Sequence, residues 1–371
     1  MKYFSLLIGL FLSASMVFGQ GNQNQLFYVG TYTAEGAEGI YLCDLDTRSG
    51  EIRLEKTFTG MQNPSFIKLS PDKKYLYAVS ETARGDGKTG YVNAYRVEKN
   101  KDLTLLNAQE SGGDNPCHVD VSNDGKFVVV SNYHSGTYSL LRVKNDGSLA
   151  PAEETIRNEG SGPNKARQAE PHAHSAQFSP FSNAIFNADL GTDQLNIVHL
   201  ENGRLVPQGQ AFVKLASGSG PRHFEFHPNG KVIYVINELN STVSVLEKEG
   251  AVWTVVQNIS TLPAGFDGES YCADIHISSD GRFLYGSNRG HNSIAVFSID
   301  SDDASLKFQN TVSVEGNWPR NFGISPDGEW MLVANKKSNN ISVFSIDKKS
   351  GSITYSGQEI ELPSPVCVEF L

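Results

Sequence analysis

The sequence predicts an all-β fold, a seven-bladed β-propeller. Three observations carry the prediction: a strand-and-turn unit of about 50 residues recurs along the chain, each unit holds four β-type runs, and a last unit is divided between the two ends.

Each unit centres on a Ser-x-Asp-Gly type turn. The complete copies run from Asn63-Pro64 to Ser70-Pro71-Asp72-Lys73, from Asn115-Pro116 to Ser122-Asn123-Asp124-Gly125, and from Glu170-Pro171 to Ser179-Pro180-Phe181-Ser182. Three more run from Gly220-Pro221 to His227-Pro228-Asn229-Gly230, from Ala273-Asp274 to Ser278-Ser279-Asp280-Gly281, and from Trp318-Pro319 to Ser325-Pro326-Asp327-Gly328. The turns at positions 72, 124, 181, 229, 280 and 327 are 52, 57, 48, 51 and 47 residues apart.

Within a unit, a short alternating run such as His118-Val119-Asp120-Val121 enters the turn and an apolar run, Phe127-Val128-Val129-Val130, leaves it. Asp-Gly between two such runs signals a hairpin, because Gly and Asp tolerate the positive φ of a tight reverse turn. A third run follows a Gly- or Asn-rich turn, as in residues 294–299 and 341–346, and a ragged fourth ends the unit. Four antiparallel strands make one blade.

The seventh unit is split. Residues 365–371 match an innermost strand with nothing after it, while residues 26–31 match a second strand with nothing before it and 39–46 supply the third. Joining tail to head completes the blade and removes the free strand edges of an open sheet.

Composition sets the remaining bounds. Met1-Lys2 carries positive charge, residues 3–15 are mostly apolar, and Val17-Phe18-Gly19 offers small residues for cleavage, so residues 1–19 read as a signal peptide and residues 20–371 as one propeller domain. The mature chain is expected in the periplasm or outside the cell, without membrane insertion, since no later segment approaches the roughly 20 apolar residues of a span. Four cysteines, Cys43, Cys117, Cys272 and Cys367, lack C-x-x-C spacing and are expected to be buried free thiols. The net charge of −10 argues against a nucleic-acid partner.

In a propeller the first strand of each blade lines the axial channel, so residues at its start and those after the second strand ring one mouth. Four positions before the turn Ser, or its counterpart His227, the column reads Phe66, His118, Ser175, His223, Asp274, Asn321. One residue earlier it reads Ser65, Cys117, His174, Arg222, Ala273, Arg320; after the second strand stand Ser80-Glu81, Asn132-Tyr133, Asp189-Leu190, Asn237-Glu238, Asn288-Arg289 and Asn335-Lys336. Arg222, Arg289 and Arg320 converging on one mouth repel one another unless an anion is shared, which points to a carboxylate or phosphate ligand. Glu238 beside them stays ionised, either to accept a proton or to hold an arginine. His118, His172, His174 and His223, expected at one level of the fold, suit acid–base work near neutrality. His172-Ala173-His174 has no evident carboxylate partner set, so neither a metal nor another cofactor is expected. The repeated Asn132, Asn237, Asn288 and Asn335 read as turn chemistry.

Several segments carry a resemblance: Asn115-Pro116-Cys117-His118-Val119, Pro171-His172-Ala173-His174, Gly220-Pro221-Arg222-His223-Phe224 with Asn237-Glu238, Ser287-Asn288-Arg289-Gly290, and Trp318-Pro319-Arg320-Asn321-Phe322. Together they resemble the lactonase seven-bladed propeller family, which groups propeller-type 6-phosphogluconolactonases with 3-carboxymuconate lactonising enzymes. The resemblance implies active-site roles for His174, Arg222, Glu238 and Arg289, and His118, His172, His223 and Arg320 are expected to touch substrate. The family does not settle the substrate; the converging arginines and the lack of a metal-ligand set make the leading expectation a metal-independent lactonase acting on a small anionic sugar lactone such as 6-phosphogluconolactone. A muconate-type cycloisomerase and a non-catalytic exported propeller that binds an anionic sugar or a protein are the alternatives, and the sequence is silent on oligomeric state.

Overall fold

The structure, a computed structural model, describes residues 24–82 and 89–371; the signal peptide expected at residues 1–19 lies outside them. The described residues form seven antiparallel sheets. Blade I holds Ile67–Leu69, Tyr75–Ser80, Tyr91–Val97 and Leu103–Glu110, and blade II holds Pro116–Val121, Phe127–Asn132, Thr137–Val143 and Leu149–Arg157. Blade III begins Ala173–Phe178, Ala184–Asp189, Gln194–Glu201, and its outer edge is two short pieces, Arg204–Val206 and Phe212–Lys214, that both pair with the third strand. Blade IV is Pro221–Phe226, Val232–Asn237, Thr242–Glu249 and Val252–Ser260; blade V is Tyr271–Ile277, Phe283–Arg289, Ser293–Ile299 and Leu306–Ser313. Blade VI is Pro319–Ile324, Trp330–Asn335, Asn340–Ile346 and Ile353–Glu361.

Blade VII joins the ends as expected. Its inner strand Pro365–Phe370 pairs with Asn24–Thr31, which pairs with Gly39–Asp46 and then Ile52–Thr59. Each inner strand touches the inner strands of both neighbouring blades, so the ring is closed.

The core is divided accordingly into seven apolar wedges, each shared by two adjacent blades. Between blades II and III, for example, Phe127, Val129, Leu140, Ala176, Phe178 and Ile185 interlock. Buried tyrosines of the second strand reinforce the wedges by donating to a carbonyl in the next blade: Tyr28 to Lys101 O (2.7 Å), Tyr77 to Gly147 O (3.1 Å), Tyr234 to Ala304 O (2.7 Å) and Tyr285 to Gly351 O (2.9 Å). A buried hydroxyl left without such an acceptor would be destabilising, so the same contact recurs.

The repeated turn differs in detail from the sequence expectation. Only its last residue takes positive φ: Gly125, Gly230, Gly281 and Gly328 at 69° to 73°, and Lys73 at 56° in blade I. The serine hydroxyl donates to the Asp carboxylate two residues on (Ser122 to Asp124, 2.7 Å), and the last residue's N–H donates back to the serine carbonyl (Gly125 to Ser122, 2.8 Å). This is a type I turn followed by a left-handed residue, in which Asp supplies an acceptor rather than an unusual backbone. All four cysteines are buried and free.

Candidate active site

One irregularity recurs where the inner strands begin. Pairing with the second strand slips between Pro116 and His118, Ala173 and Ser175, Pro221 and His223, Cys272 and Ile275, and Pro319 and Asn321. Each slip is a β-bulge, which leaves an extra residue unpaired and re-aims side chains beside it. The skipped residues include Cys117, His174, Arg222 and Arg320, the earlier of the two inner-strand columns. Cys117, His174 and Arg320 line an axial cavity of about 270 Å³ together with Tyr32, Glu81, Asn115, Tyr133, Arg167, Glu238 and Arg289.

Glu238 is the hub. Its Oε1 accepts from Arg167 Nη2 at 2.6 Å, and its Oε2 accepts from Arg289 Nη2 at 2.6 Å and lies 3.3 Å from Arg222 Nε. Burial alone would raise this carboxyl, but Arg289, Arg222 and Arg167 hold it down at about 2. Glu238 is therefore a fixed anion that orders three guanidinium groups. Arg289 also donates to Cys272 O (2.7 Å) and Tyr271 O (3.3 Å), and Arg222 to Ala273 O. Burial, Arg320 and Arg289 push Arg222 down to about 9, so it stays protonated near neutrality.

Arg167 escaped the sequence reading. It sits in the connection between blades II and III, outside the repeat, and also donates to Tyr133 Oη at 3.2 Å. Gln168 beside it is fully buried and pins the loop, donating to Asp193 Oδ1 (2.6 Å) and Leu190 O (2.9 Å). The signal available was the 57-residue spacing, the longest between successive turns.

The opposite wall was also missed. Glu81, at the repeat position that Glu238 occupies in blade IV, accepts from Tyr32 Oη (2.7 Å), Ser65 Oγ (2.5 Å) and Asn115 Nδ2 (3.2 Å). Arg320 packs over the Tyr32 ring at 5.6 Å, and among the described residues its guanidinium has no hydrogen-bond acceptor. Burial would lower its basicity, but Tyr32, Glu81 and Glu238 outweigh that and raise it.

The histidines separate into levels rather than sharing one. His174 lines the cavity, its Nδ1 3.9 Å from Cys117 Sγ; burial, Arg222, His223, Arg320 and Arg289 all hold it well below the usual imidazole range. His172 stacks on Tyr133 at 4.6 Å, its Nδ1 3.1 Å from Tyr133 O. His118 and His223 face a separate chamber of about 180 Å³ further along the channel, with Lys68, Asp120, Glu225, Asp274 and His276. The physical reason is the bulge: it turns Cys117, His174 and Arg222 toward the mouth, and the next residue in the strand points deeper. His223 Nδ1 meets Asp274 Oδ1 at 2.6 Å, and Asp274 Oδ2 meets His276 Nε2 at 3.1 Å. Burial and Arg222 lower His223 to about 4, so it is a neutral imidazole whose Nδ1–H donates to the Asp274 carboxylate.

The asparagine column is structural, but as a clasp at the end of the second strand rather than as turn chemistry. Asn237 donates to Thr242 Oγ1 and Ser244 Oγ, both at 2.9 Å, and Asn288 to Thr261 O (3.0 Å) and Ser293 Oγ (3.2 Å). Larger hollows lie on the outer rim, such as the one of about 400 Å³ lined by Phe181, Trp253 and Lys248. The charges around the rim hollows are exposed local pairs, such as Arg282–Asp280 and Lys348–Glu329, whereas the charged cluster of the axial cavity is largely buried. Among the described residues no group of three or more His, Cys, Asp or Glu side chains converges as metal ligands.

A family model described as lactonase, 7-bladed beta-propeller, matches residues 26–370. The chain is 39% identical over 347 residues to the 6-phosphogluconolactonase of Bacillus subtilis (strain 168), covering 93% of this chain and 97% of that relative. It is also 39% identical over 305 residues to a 6-phosphogluconolactonase of Formosa agariphila, covering 80% and 85%. Among solved structures, the Pseudomonas aeruginosa periplasmic gluconolactonase matches with a TM-score of 0.86 at 32% identity, covering 94% of this chain and 99% of that one. With a model that spans nearly every described residue and relatives aligned along almost their whole length, the chain belongs to the lactonase seven-bladed β-propeller family.

Proposed function

We propose that this protein is a lactone hydrolase of the 6-phosphogluconolactonase type, acting on a small sugar lactone that carries an anionic group. One observation carries the anionic preference. Arg167, Arg289 and Arg320 line the cavity and Arg222 lies buried behind them against Glu238; set against the carboxylates Glu81 and Glu238, the cluster as a whole carries an excess of two positive charges inside a protein of net charge −10. A phosphate dianion would offset that excess, and Arg320, with its hydrogen-bonding capacity unused among the described residues, is the group to meet it. The relative from Pseudomonas aeruginosa is a gluconolactonase, which raises an unphosphorylated lactone as the second reading; a neutral ring would leave the same charges uncompensated.

In the proposed reaction the lactone carbonyl oxygen lies toward Arg289 and Arg222, whose positions Glu238 fixes before substrate arrives. Charge that develops on this oxygen in the tetrahedral intermediate then meets ordered donors without reorganisation. His174, neutral among the arginines, hydrogen-bonds the reacting ester, and His172 with Tyr133 forms the stacked rim over it. The signal-peptide reading of residues 1–19 puts this chemistry outside the cytoplasm, and N-terminal sequencing of the secreted chain should give a start near Gln20.

Hydrolysis of 6-phosphogluconolactone and of gluconolactone by purified protein, measured with and without chelator, tests the proposal. The phosphorylated lactone should be preferred by about tenfold or more in kcat/KM, one charge-assisted hydrogen bond's worth, and Arg320→Ala should erase most of that preference. Failure to open either lactone faster than buffer would sink the reading, and loss of turnover in chelator would overturn its metal-independence.

A further inference from the structure

We propose that Glu81 is the general base of this site, the group that takes the proton from the attacking water; the inference rests on the lactone-hydrolase reading. The cavity has two carboxylates, and their surroundings assign them different work. Glu238 spends both oxygens on guanidinium groups and is held as a permanent anion of very low basicity. His174 is no better an acceptor, because a proton on its imidazole would add a positive charge beside Arg222, Arg289 and Arg320.

Glu81 is held by neutral donors alone. Tyr32 and Ser65 fill both acceptor sites of Oε2, and Asn115 occupies one site of Oε1. A carboxylate oxygen accepts two hydrogen bonds, so one site on Oε1 has no partner among the described residues while the residue itself lines the cavity. The donors come from the closing blade, blade I and the connection into blade II, and they fix the carboxylate without neutralising it. The titratable groups that face it are Tyr32, Cys117 and Arg320. Arg320 forms no hydrogen bond to it, which leaves that cation to substrate.

The step balances as follows. Glu81 takes one proton from water as the water oxygen bonds to the lactone carbonyl carbon, and the carbonyl π pair moves onto its oxygen. As the intermediate collapses, the bond from carbon to ring oxygen breaks and protonated Glu81 gives its proton to that oxygen. The ring opens to a hydroxy acid, which releases its own acid proton to solvent, and the Glu81 carboxylate is regenerated.

Glu81→Gln preserves shape and can still accept from Tyr32 and Ser65, so it isolates the loss of basicity. It should lower kcat by on the order of 10²- to 10⁴-fold with KM changed less than about threefold, and the acid limb of the kcat/KM profile should disappear. Glu81→Ala should regain about tenfold or more of its lost rate in added formate, a response absent from wild type; a merely structural Glu81 would give no such rescue. The assignment is overturned if Glu81→Gln turns over within about threefold of wild type, or if its acid limb persists at the wild-type position. A wild-type protein that opens no lactone defeats the functional reading itself, whereas an active Glu81→Gln defeats only this assignment.

Discussion

A carboxylate encircled by three guanidinium groups has little basicity left, and at Glu238 that is its use: it keeps like charges together where a substrate can meet them. Its folded-state value of about 2 against an ordinary 4.5 sets the sign of its pH dependence. The stabilisation is fully present above the unfolded value of about 4.5 and is lost as pH falls from there toward 2. Glu238→Gln strands three buried or half-buried arginines without a counter-ion, and should destabilise the fold by about 3–5 kcal/mol near neutrality. Thermal melts of variant and wild type from pH 7 down to the acid limit of folding should show the gap narrowing on acidification. A gap that stays constant would mean that Glu238 is not the charge that orders the cluster. Of these partners, Arg222, Arg289 and Glu238 were legible in the sequence because they stand in aligned columns at one mouth of the channel: Arg222 takes a place where most blades carry an uncharged residue, and Glu238 and Arg289 put opposite charges at one repeat position in adjacent blades. Arg167 was not, since a residue in a connecting loop has no column to be compared with. Glu81 stood in a column, yet its meaning depends on Tyr32, Ser65 and Asn115, which only the closed ring brings together.

At the scale of elements, the inner-strand bulge decides which side chains face the cavity. A sequence shows that His174 and Ser175 are adjacent; it does not show that an unpaired residue lies between Ala173 and Ser175, and so two columns that look equivalent separate into a mouth and a deeper chamber. The end of the second strand is equally constrained in blade V. Gly290, directly after Arg289, has φ of 101°, and a Cβ there would lie 2.3 Å from the Glu269 carbonyl oxygen. No L side chain fits without moving that backbone. Gly290→Ala should therefore displace Arg289, lowering kcat/KM by roughly 10- to 100-fold, the penalty of a small misplacement of a catalytic group, while the far-UV spectrum of the propeller is retained. Unchanged kinetics would show that Arg289 does not depend on this turn. The hairpin turns were read correctly in place but not in kind: the period located them, whereas the type I geometry with one left-handed residue follows from where the Asp carboxylate points.

For the whole molecule, the last strand carries more than one blade's share. Beyond its pairing with Asn24–Thr31, Val368 N–H donates to Asn321 Oδ1 at 2.7 Å, and Glu369 Oε1 accepts from Leu69 N–H at 3.0 Å, tying blade VII to blades VI and I. Cys367 and Val368 also fill the two apolar wedges on either side. Removing residues 365–371 should abolish the cooperative thermal transition or lower it steeply, and should remove lactone turnover, since Tyr32 at the end of the orphaned strand would lose its place beside Glu81. A truncated chain that melts like the full one would contradict the closed ring. This architecture was the most legible part of the sequence, because a repeat reports itself many times and a split copy at the ends admits few other arrangements.

The pairing of Gly30 with Cys367 also bears on the order of assembly. Six blades are built from neighbouring segments and can form as each becomes available, but the seventh must wait for the final stretch of polypeptide. The wait is thermodynamically mild: loop entropy grows with the logarithm of length, so joining ends more than 300 residues apart costs only about 2 kcal/mol more than closing one 50-residue loop. Its kinetic meaning is larger. Until that strand docks, Tyr32 has no fixed position and Glu81 keeps only the Ser65 and Asn115 members of its three-donor clamp, so the wall opposite the arginines is completed in one late event rather than blade by blade.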